Sequence, residues 1–259
     1  MKLIMLGLYL LVALVPQGYT KGIDYAGISS YRMNYVILPT ICIILLLIFA
    51  KWFMEVEPMS RNNDKKLAIL WAFYFAAIII VVKMVVGIFM GGLSKNPYDR
   101  SFGGIISNLY YALPLIIFRE NVRSYIINKC EHYKMWFISL LFWLSFAGLN
   151  FMEIELLSGV ENTVIYMAKN VLPLVIEGIF LNMMATYGGA GASIIYLIMQ
   201  ELMEWLFPVV PTLNWLTEFV ISIGIGGIII LMLGDQISEC QEKHKRNSKK
   251  TRRKQEKMF

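Results

Sequence analysis

Histidine and cysteine are scarce in this chain, and their scarcity excludes several kinds of site. The 259 residues include 2 histidines and 3 cysteines. Cys42, Cys130 and Cys240 lie far apart, so their spacing matches neither a disulfide framework nor a metal-ligand motif. His132 and His244 lie outside the long apolar runs, and a zinc site needs His or Cys ligands close together. We therefore expect no metal and no other cofactor.

The motifs of common hydrolases and phosphate-binding proteins are also missing. The sequence has no His-Glu-x-x-His, no Gly-x-Ser-x-Gly and no glycine-rich phosphate loop. Lys83 and Ser107 could be drawn as a serine–lysine dyad, but they fall on different predicted helices and nothing fixes their pairing. The sequence therefore identifies no catalytic residue and favours a protein that is not an enzyme.

Charged residues are few, and this scarcity decides the class of protein. Only 16% of the residues are charged and 58% are hydrophobic, with a mean hydropathy of +0.60, whereas soluble domains carry about 25% charged residues. Apolar runs recur along the chain and are continuous rather than alternating, which favours helices over membrane strands. The sequence predicts an all-α, polytopic bundle of transmembrane helices.

Eight membrane spans are predicted, with ends uncertain by several residues. They are Leu3–Val15, 34–54, 67–93, 102–128, 134–152, 163–187, 190–207 and 215–234. The first is expected to be a short helix rather than a signal peptide, because no small-x-small cleavage site follows Pro16. We divide the chain into a transmembrane domain, 1–235, and a basic tail, 236–259.

Basic residues predict the orientation in the membrane, because lysine and arginine accumulate in cytoplasmic loops. Connections 51–66 and 119–134 each contain four lysines or arginines, whereas 153–162 and 208–214 contain none. The sequence thus predicts a multi-pass protein of the plasma membrane with both termini in the cytoplasm.

The tail concentrates the positive charge. Residues 243–257 contain nine lysines or arginines and one acid, a net charge of +8, which leaves −2 for the remainder of the +6 chain. Such a run beside a membrane span gains about 1 kcal/mol per basic residue from anionic lipid. We expect the partners to be the lipid bilayer and its anionic lipids, and not nucleic acid.

Six charged residues are predicted to lie at membrane depth, where charge costs several kcal/mol unless it is paired or faces a protein interior. They are Lys83, Glu120, Arg123, Glu177, Glu201 and Glu204. With a rise of 1.5 Å per residue, three of the glutamates fall about 12–16 Å from the inner ends of their spans, and Lys83 and Glu204 fall higher. Glu120 and Arg123 are three residues apart and share one helix face.

Two hypotheses explain these charges. In the first, Glu120, Glu177 and Glu201 line a polar cavity that binds a cation, carries protons or polarises water, with Arg123 as its anchor. In the second, Arg123 and Lys83 neutralise the acids, and the network only fixes helix packing. The sequence leaves both open.

Glycines and prolines predict local geometry near these charges. One group of glycines predicts a turn between two spans, and a second group predicts a close contact between helices. Two prolines predict helix kinks. The turn residues are Gly188, Gly189 and Gly191, the contact residues are Gly224, Gly226 and Gly227, and the prolines are Pro114 and Pro173.

The segment around Glu120 resembles the glutamate–arginine motif of the intramembrane CAAX-processing and bacteriocin-immunity protease family, which also has about eight helices. That family has paired glutamates before the arginine and histidines on later helices. In this chain Arg119 occupies the place of the second glutamate, and the intramembrane histidines are absent. The resemblance implies at most a degenerate intramembrane enzyme.

A closer resemblance is to the N-terminal multi-pass membrane region of long signal peptidase I-type proteins of Firmicutes. It rests on Asn96-Pro97-Tyr98 with Gly103-Gly104-Ile105, on Phe118 to Asn128 (FRENVRSYIIN) and on Gly188 to Pro211 (GGAGASIIYLIMQELMEWLFPVVP). In those proteins a serine–lysine peptidase domain follows the membrane region. Its Ser-x-Met-x-Pro signature is absent here, so no catalytic residue is carried over.

The resemblance implies a non-catalytic membrane module, accessory to the processing of exported proteins, with a peptidase or an exported protein as partner. A CAAX-protease-like enzyme is the first alternative. A small transporter that binds its ion or substrate through the buried glutamates is the second.

Overall fold

The computed structural model describes residues 7, 33–56, 62–90, 92–129, 139 and 159–256. Within these ranges the chain forms six helices and two short strands. The helices are α1 (Leu38–Met54), α2 (Asn62–Phe89), α3 (Phe102–Lys129), α4 (Val160–Gly188), α5 (Ala190–Leu206) and α6 (Trp215–Glu256). The strands are β1 (Leu93–Lys95) and β2 (Val209–Pro211).

In the described residues, five helical segments are long and apolar enough to cross a membrane, whereas the sequence predicted eight for the whole chain. They are Tyr35–Met54, Lys65–Phe89, Phe102–Asn128, Val160–Gly188 and Trp215–Glu239. The helix at the predicted span 190–207 has 17 residues, fewer than the roughly 20 that the hydrocarbon core requires. The predicted spans Leu3–Val15 and 134–152 lie outside the described residues, apart from Gly7 and Ser139. The chain is thus a multi-pass helical membrane protein.

The outer faces of the bundle are apolar, as contact with lipid requires. Leu47 on α1 is 73% exposed and Phe89 at the end of α2 is 83% exposed. Exposed apolar patches of this extent on a soluble protein would mark an interface or an aggregation hazard. Here they lie on helices that qualify as membrane spans, so they contact the bilayer.

Helix α5 lies at the centre of the described bundle. It packs against α2, α3 and α4, while α1 packs against α3 and α6 packs against α4. Small buried residues, Ala68 and Ala72 on α2 and Ala192 on α5, belong to the main core, and small residues let helix backbones approach closely. A second core, which includes Leu38 and Phe118, joins α1 to α3.

The predicted glycine turn is confirmed between α4 and α5. Gly189 has φ +76°, a left-handed conformation that favours glycine. A Cβ on Gly188 would lie 2.7 Å from the Cβ atoms of both Ala68 and Ala192, whereas one on Gly191 would meet only the Ile69 side chain at 4.0 Å. Tight packing thus requires Gly188 but not Gly191.

On α6, only one of the three predicted contact glycines meets a neighbouring helix. A Cβ on Gly226 would lie 2.6 Å from Cγ2 of Ile176 on α4, so these two helices approach closely at Gly226. Gly224 and Gly227 have no neighbour within 4 Å of such a Cβ in the described part of the chain. The predicted close contact is therefore confirmed for Gly226, and for Gly224 and Gly227 it stays a prediction.

The two strands form a clip that joins the connection after α2 to the connection after α5. They are antiparallel, with Leu93 opposite Pro211 and Lys95 opposite Val209. The N–H of Thr212 also donates to the carbonyl of Gly92 at 2.6 Å. Both connections were predicted to lie on the outer side, and the clip places them at one end of the bundle. We refer to this as the clip end; its assignment to the outer side stays a prediction.

Asn96 fastens the clip to the end of α5. Its Nδ2 donates to the backbone carbonyls of Glu204 and Phe207, and its N–H donates to the carbonyl of Pro208 at 3.1 Å. The N–H of Tyr98 donates to Asn96 Oδ1 at 2.9 Å. The last carbonyls of a helix lack partners within the helix, so Asn96 satisfies groups that α5 leaves open.

The start of α3 is capped by its own loop. The N–H and hydroxyl of Ser101 donate to the Asp99 carboxylate at 2.9 and 2.8 Å, and the N–H of Gly104 donates to Ser101 Oγ at 3.1 Å. These two hydrogen bonds from Ser101 hold the pKa of the exposed Asp99 carboxyl below its ordinary value. Ser101 thus serves as the N-cap of α3.

We predict that Gly92→Ala destabilises the clip by about 1–2 kcal/mol. The added Cβ would lie 2.5 Å from the carbonyl oxygen of Thr212, so the clip must open to admit it. Thermal unfolding in detergent measures the effect. Gly103→Ala is the matched control, because its Cβ would meet only Ser101 Oγ at 3.9 Å; equal losses for both variants would contradict the prediction.

Helix α6 continues without a break from its membrane span through most of the basic tail. It has 42 residues and ends at Glu256. The predicted boundary between residues 235 and 236 therefore falls inside a helix, and the division into two domains stays a prediction.

Candidate functional site

Glu120 and Arg123 form a buried ion pair on α3, as their spacing predicted. Glu120 Oε2 lies 2.9 Å from Arg123 Nε, and both side chains are 0% exposed. Arg119, which is 14% exposed, places its Nε 3.4 Å from Glu120 Oε1. Two guanidinium groups thus flank one carboxylate, which offsets part of the cost of removing these charges from water.

Asn182 connects this pair to α4. Arg123 Nη1 donates to Asn182 Oδ1 at 2.8 Å, and Ser139 Oγ donates to the same oxygen at 3.1 Å. Ser139 comes from the predicted span 134–152, whose other residues lie outside the described part of the chain. All of these side chains except Arg119 are at most 1% exposed. The group, which we call the anchor, joins three segments and is sealed from solvent.

A polar cavity lies elsewhere in the bundle, between α2, α4, α5 and α6. Its volume is about 290 Å³. Its polar lining residues are Lys83, Lys169, Asn170, Glu177, Tyr196, Gln200, Glu218 and Ser222. Apolar side chains, including Ile79, Phe180 and Ile229, complete the wall. This size is at the lower end of the range of small-molecule sites, about 300–1,000 Å³.

A π-helical turn in α4 contributes to the cavity. The turn covers Met167–Val171, and the N–H of Leu172 donates to the carbonyl of Met167. Pro173 follows directly and lacks the N–H that a regular helix would use, so the predicted disturbance at this proline takes the form of a wider turn. Such turns are frequent at functional sites, and this one carries the cavity residues Lys169 and Asn170.

The charged side chains of the cavity are not locked in ion pairs. In the described ranges, none of Lys83, Lys169, Glu177 and Glu218 has a partner of opposite charge within 4 Å. The cavity therefore presents two acids, Glu177 and Glu218, and two bases, Lys83 and Lys169.

Glu201 and Glu204 lie on α5 but do not line the cavity. Glu204 is exposed near the clip, where its backbone carbonyl accepts from Asn96. Glu201 is half-buried. Of the three glutamates predicted to line a cavity, the structure places Glu177 there and not Glu120 or Glu201.

Sequence reasoning missed several cavity residues. Lys169 and Glu218 fall near the ends of their spans, where charges are common because they reach the aqueous interface. Gln200 carries no charge that would mark it within an apolar run, yet it lines the cavity and places its Nε2 3.5 Å from the carbonyl of Ala76. Pro173, which follows the π turn, is the local sequence signal that could have identified Lys169 as a cavity residue.

The residues that carry the family resemblance have structural roles. Asn96 fastens the clip, and a Cβ on Gly104 would lie 2.4 Å from the carbonyl oxygen of Asp99. Glu120 and Arg123 belong to the anchor, and Gly188, at the end of α4, packs against Ala68 on α2 and Ala192 on α5.

Comparison with family models, with curated proteins and with solved structures gave no match for this chain. In the described residues, no group of three His, Cys, Asp or Glu side chains could hold a metal ion.

Proposed function

We propose that this chain is a membrane-embedded binding module whose ligand is a small charged molecule held in the polar cavity. The observation that carries the proposal is that Lys83 and Glu177 lie at membrane depth, line the cavity and have no partner of opposite charge within 4 Å in the described residues. Lys169 and Glu218 add charge to the cavity wall near the ends of their spans. Charge at membrane depth is costly, and a charge that only fixes helix packing is expected to be paired, as Glu120 and Arg123 are. Charges that face an open cavity instead suit a ligand.

A catalytic role is not part of the proposal. For the CAAX-protease-like alternative, Glu120 would have to activate water, but it is 0% exposed and flanked by Arg119 and Arg123. A carboxylate in this environment suits a structural ion pair, because two guanidinium groups within a few ångströms hold it in place. The proposed module binds and does not cleave.

The transporter alternative needs a path through the bundle. A second cavity of about 170 Å³ lies at the end opposite the clip, lined by residues that include Lys65, Asn121, Ser124 and Gly189. The two cavities have no lining residue in common. Binding is therefore the function that the geometry supports best, and transport would require a path between the two cavities to open.

Cysteine labelling tests whether the cavity is open to water. In a background in which Cys42, Cys130 and Cys240 are replaced by alanine, Ser222→Cys introduces a thiol at the cavity wall. We expect a charged, water-soluble methanethiosulfonate to label it in the folded protein, because polar cavities of this size hold water.

Ser193→Cys provides the matched control. Ser193 is also a helical serine, but it is 0% exposed and its hydroxyl donates to the carbonyl of Ala190. A buried thiol reacts only when the structure opens locally. Labelling of the two variants at the same rate would refute an open cavity and, with it, the proposed function.

We also propose, from the sequence resemblance, that the module works beside a signal peptidase-type enzyme in the processing of exported proteins. The structural roles of Asn96, Gly104, Glu120 and Gly188 support a common membrane architecture. Purification from mild detergent is expected to recover a peptidase with a serine–lysine centre together with this chain. Recovery of the chain alone after cross-linking in intact membranes would speak against the partnership.

A further inference from the structure

We propose that the ligand of the cavity is a zwitterion with a free amino group at one end and a free carboxylate at the other, namely a short peptide. The inference rests on the proposed binding function and specifies its ligand class. Glu177 binds the amino group, and Lys83 and Lys169 bind the carboxylate.

The cavity carries both signs of charge at separate positions. Lys169 lies eight residues before Glu177 on α4, which separates their backbones by about 12 Å along the helix. Lys83 enters from α2 and lines the same cavity as Glu177. A ligand that spans this distance can therefore meet an acid at one end and a base at the other.

Ligands with a single charge fit less well. A simple cation at Glu177 would lie near Lys83, and a simple anion at the two lysines would lie near Glu177 and Glu218. Like charges brought together in a partly desolvated site disfavour the wrong ligand, which is a recognised source of specificity. Only a ligand with both charges satisfies both ends at once.

The uncharged wall also fits a ligand of this class. Gln200 and Asn170 supply amide groups that can bond to a peptide unit, and both line the cavity. Phe180 and Tyr196, whose rings pack with centroids 4.6 Å apart, and Ile79 provide apolar surface for a side chain. The cavity thus combines charged ends with a mixed polar and apolar middle.

Binding of dipeptides to the purified protein tests this inference. The probes are glycyl-glycine, alanyl-alanine, leucyl-leucine and phenylalanyl-phenylalanine, each with its N-acetyl and its C-terminal amide form, measured by calorimetry in detergent. At least one free dipeptide is expected to bind, and each capped form to bind about 10- to 100-fold more weakly, because a hydrogen bond to a charged group is lost.

Substitutions in the cavity identify which side chains bind the amino end and the carboxylate end of the dipeptide. Glu177→Gln is expected to abolish the preference for the free amino group while keeping the preference for the carboxylate, and Lys83→Gln with Lys169→Gln is expected to do the reverse. Glu55→Gln and Lys95→Gln are the matched controls, since both residues are exposed and outside the cavity lining.

The outcomes separate this inference from the proposed function. If no free dipeptide binds better than its capped forms, the zwitterion is refuted, whether or not Ser222→Cys reacts with the thiol reagent. If Ser222→Cys also fails to react, the binding module itself is refuted. If Glu55→Gln or Lys95→Gln removes the preference for the free amino group and for the free carboxylate, the dipeptide does not bind in this cavity.

Discussion

Replacing Glu120 by glutamine is expected to lower the free energy of unfolding in detergent by about 3–5 kcal/mol. The substitution removes the negative charge but keeps the size of the side chain. It leaves Arg123, which is 0% exposed, as an uncompensated charge beside the α3–α4 contact. Breaking one member of a buried ion pair costs this much because the remaining ion has lost both water and its partner.

A double-mutant cycle isolates the pair. Chemical unfolding in detergent is measured for Glu120→Gln, Arg123→Gln and the double variant, and the double variant is expected to lose much less than the sum of the two single losses. Arg119→Gln is the control, with an expected loss of about 1 kcal/mol because its side chain is partly exposed. Additive losses would contradict the account of the anchor as a coupled ion pair.

Replacing Gly188 by valine is expected to cost about 2–3 kcal/mol. A Cβ at this position already lies 2.7 Å from two alanine Cβ atoms, and valine adds two further methyl groups to a contact that has no free space. Because α5 is the central helix, displacing it from α2 loosens much of the main core. Thermal unfolding in detergent measures the loss.

The control for Gly188 lies in the same turn. Gly191→Val places its Cβ against only the Ile69 side chain, at 4.0 Å, and its position is exposed. We expect its unfolding temperature to fall much less than that of the Gly188 variant. A similar fall in both would show that the turn as a whole, and not the contact with Ala68 and Ala192, sets the stability.

Composition and spacing were sufficient to predict the class of protein and the pairing of Glu120 with Arg123. Few charges and long apolar runs identified a helical membrane protein, because lipid excludes unpaired polar groups. The three-residue spacing of Glu120 and Arg123 predicted their shared face, because helix geometry fixes the position of residues three apart. Both features depend on local sequence alone.

The cavity could not be predicted, because it depends on how four helices are rotated about their axes. The depth calculation placed Glu177 and Glu201 near one layer, but depth along a helix does not specify direction. On α5, successive residues point about 100° apart, so Gln200 faces the cavity while Glu201 does not. The number of spans was overestimated for a related reason, since hydropathy did not distinguish the 17-residue α5 from a full crossing.

The central claim is that Glu177 faces an open, water-filled cavity while Glu120 is sealed in a structural ion pair. Carboxyl footprinting tests it directly, with a water-soluble carbodiimide and a small amine applied to the folded protein, followed by mass spectrometry. We expect Glu177 and Glu218 to be modified more than about ten times faster than Glu120, which should react only after unfolding. Equal rates for Glu177 and Glu120, or modification of Glu120 alone, would contradict the account.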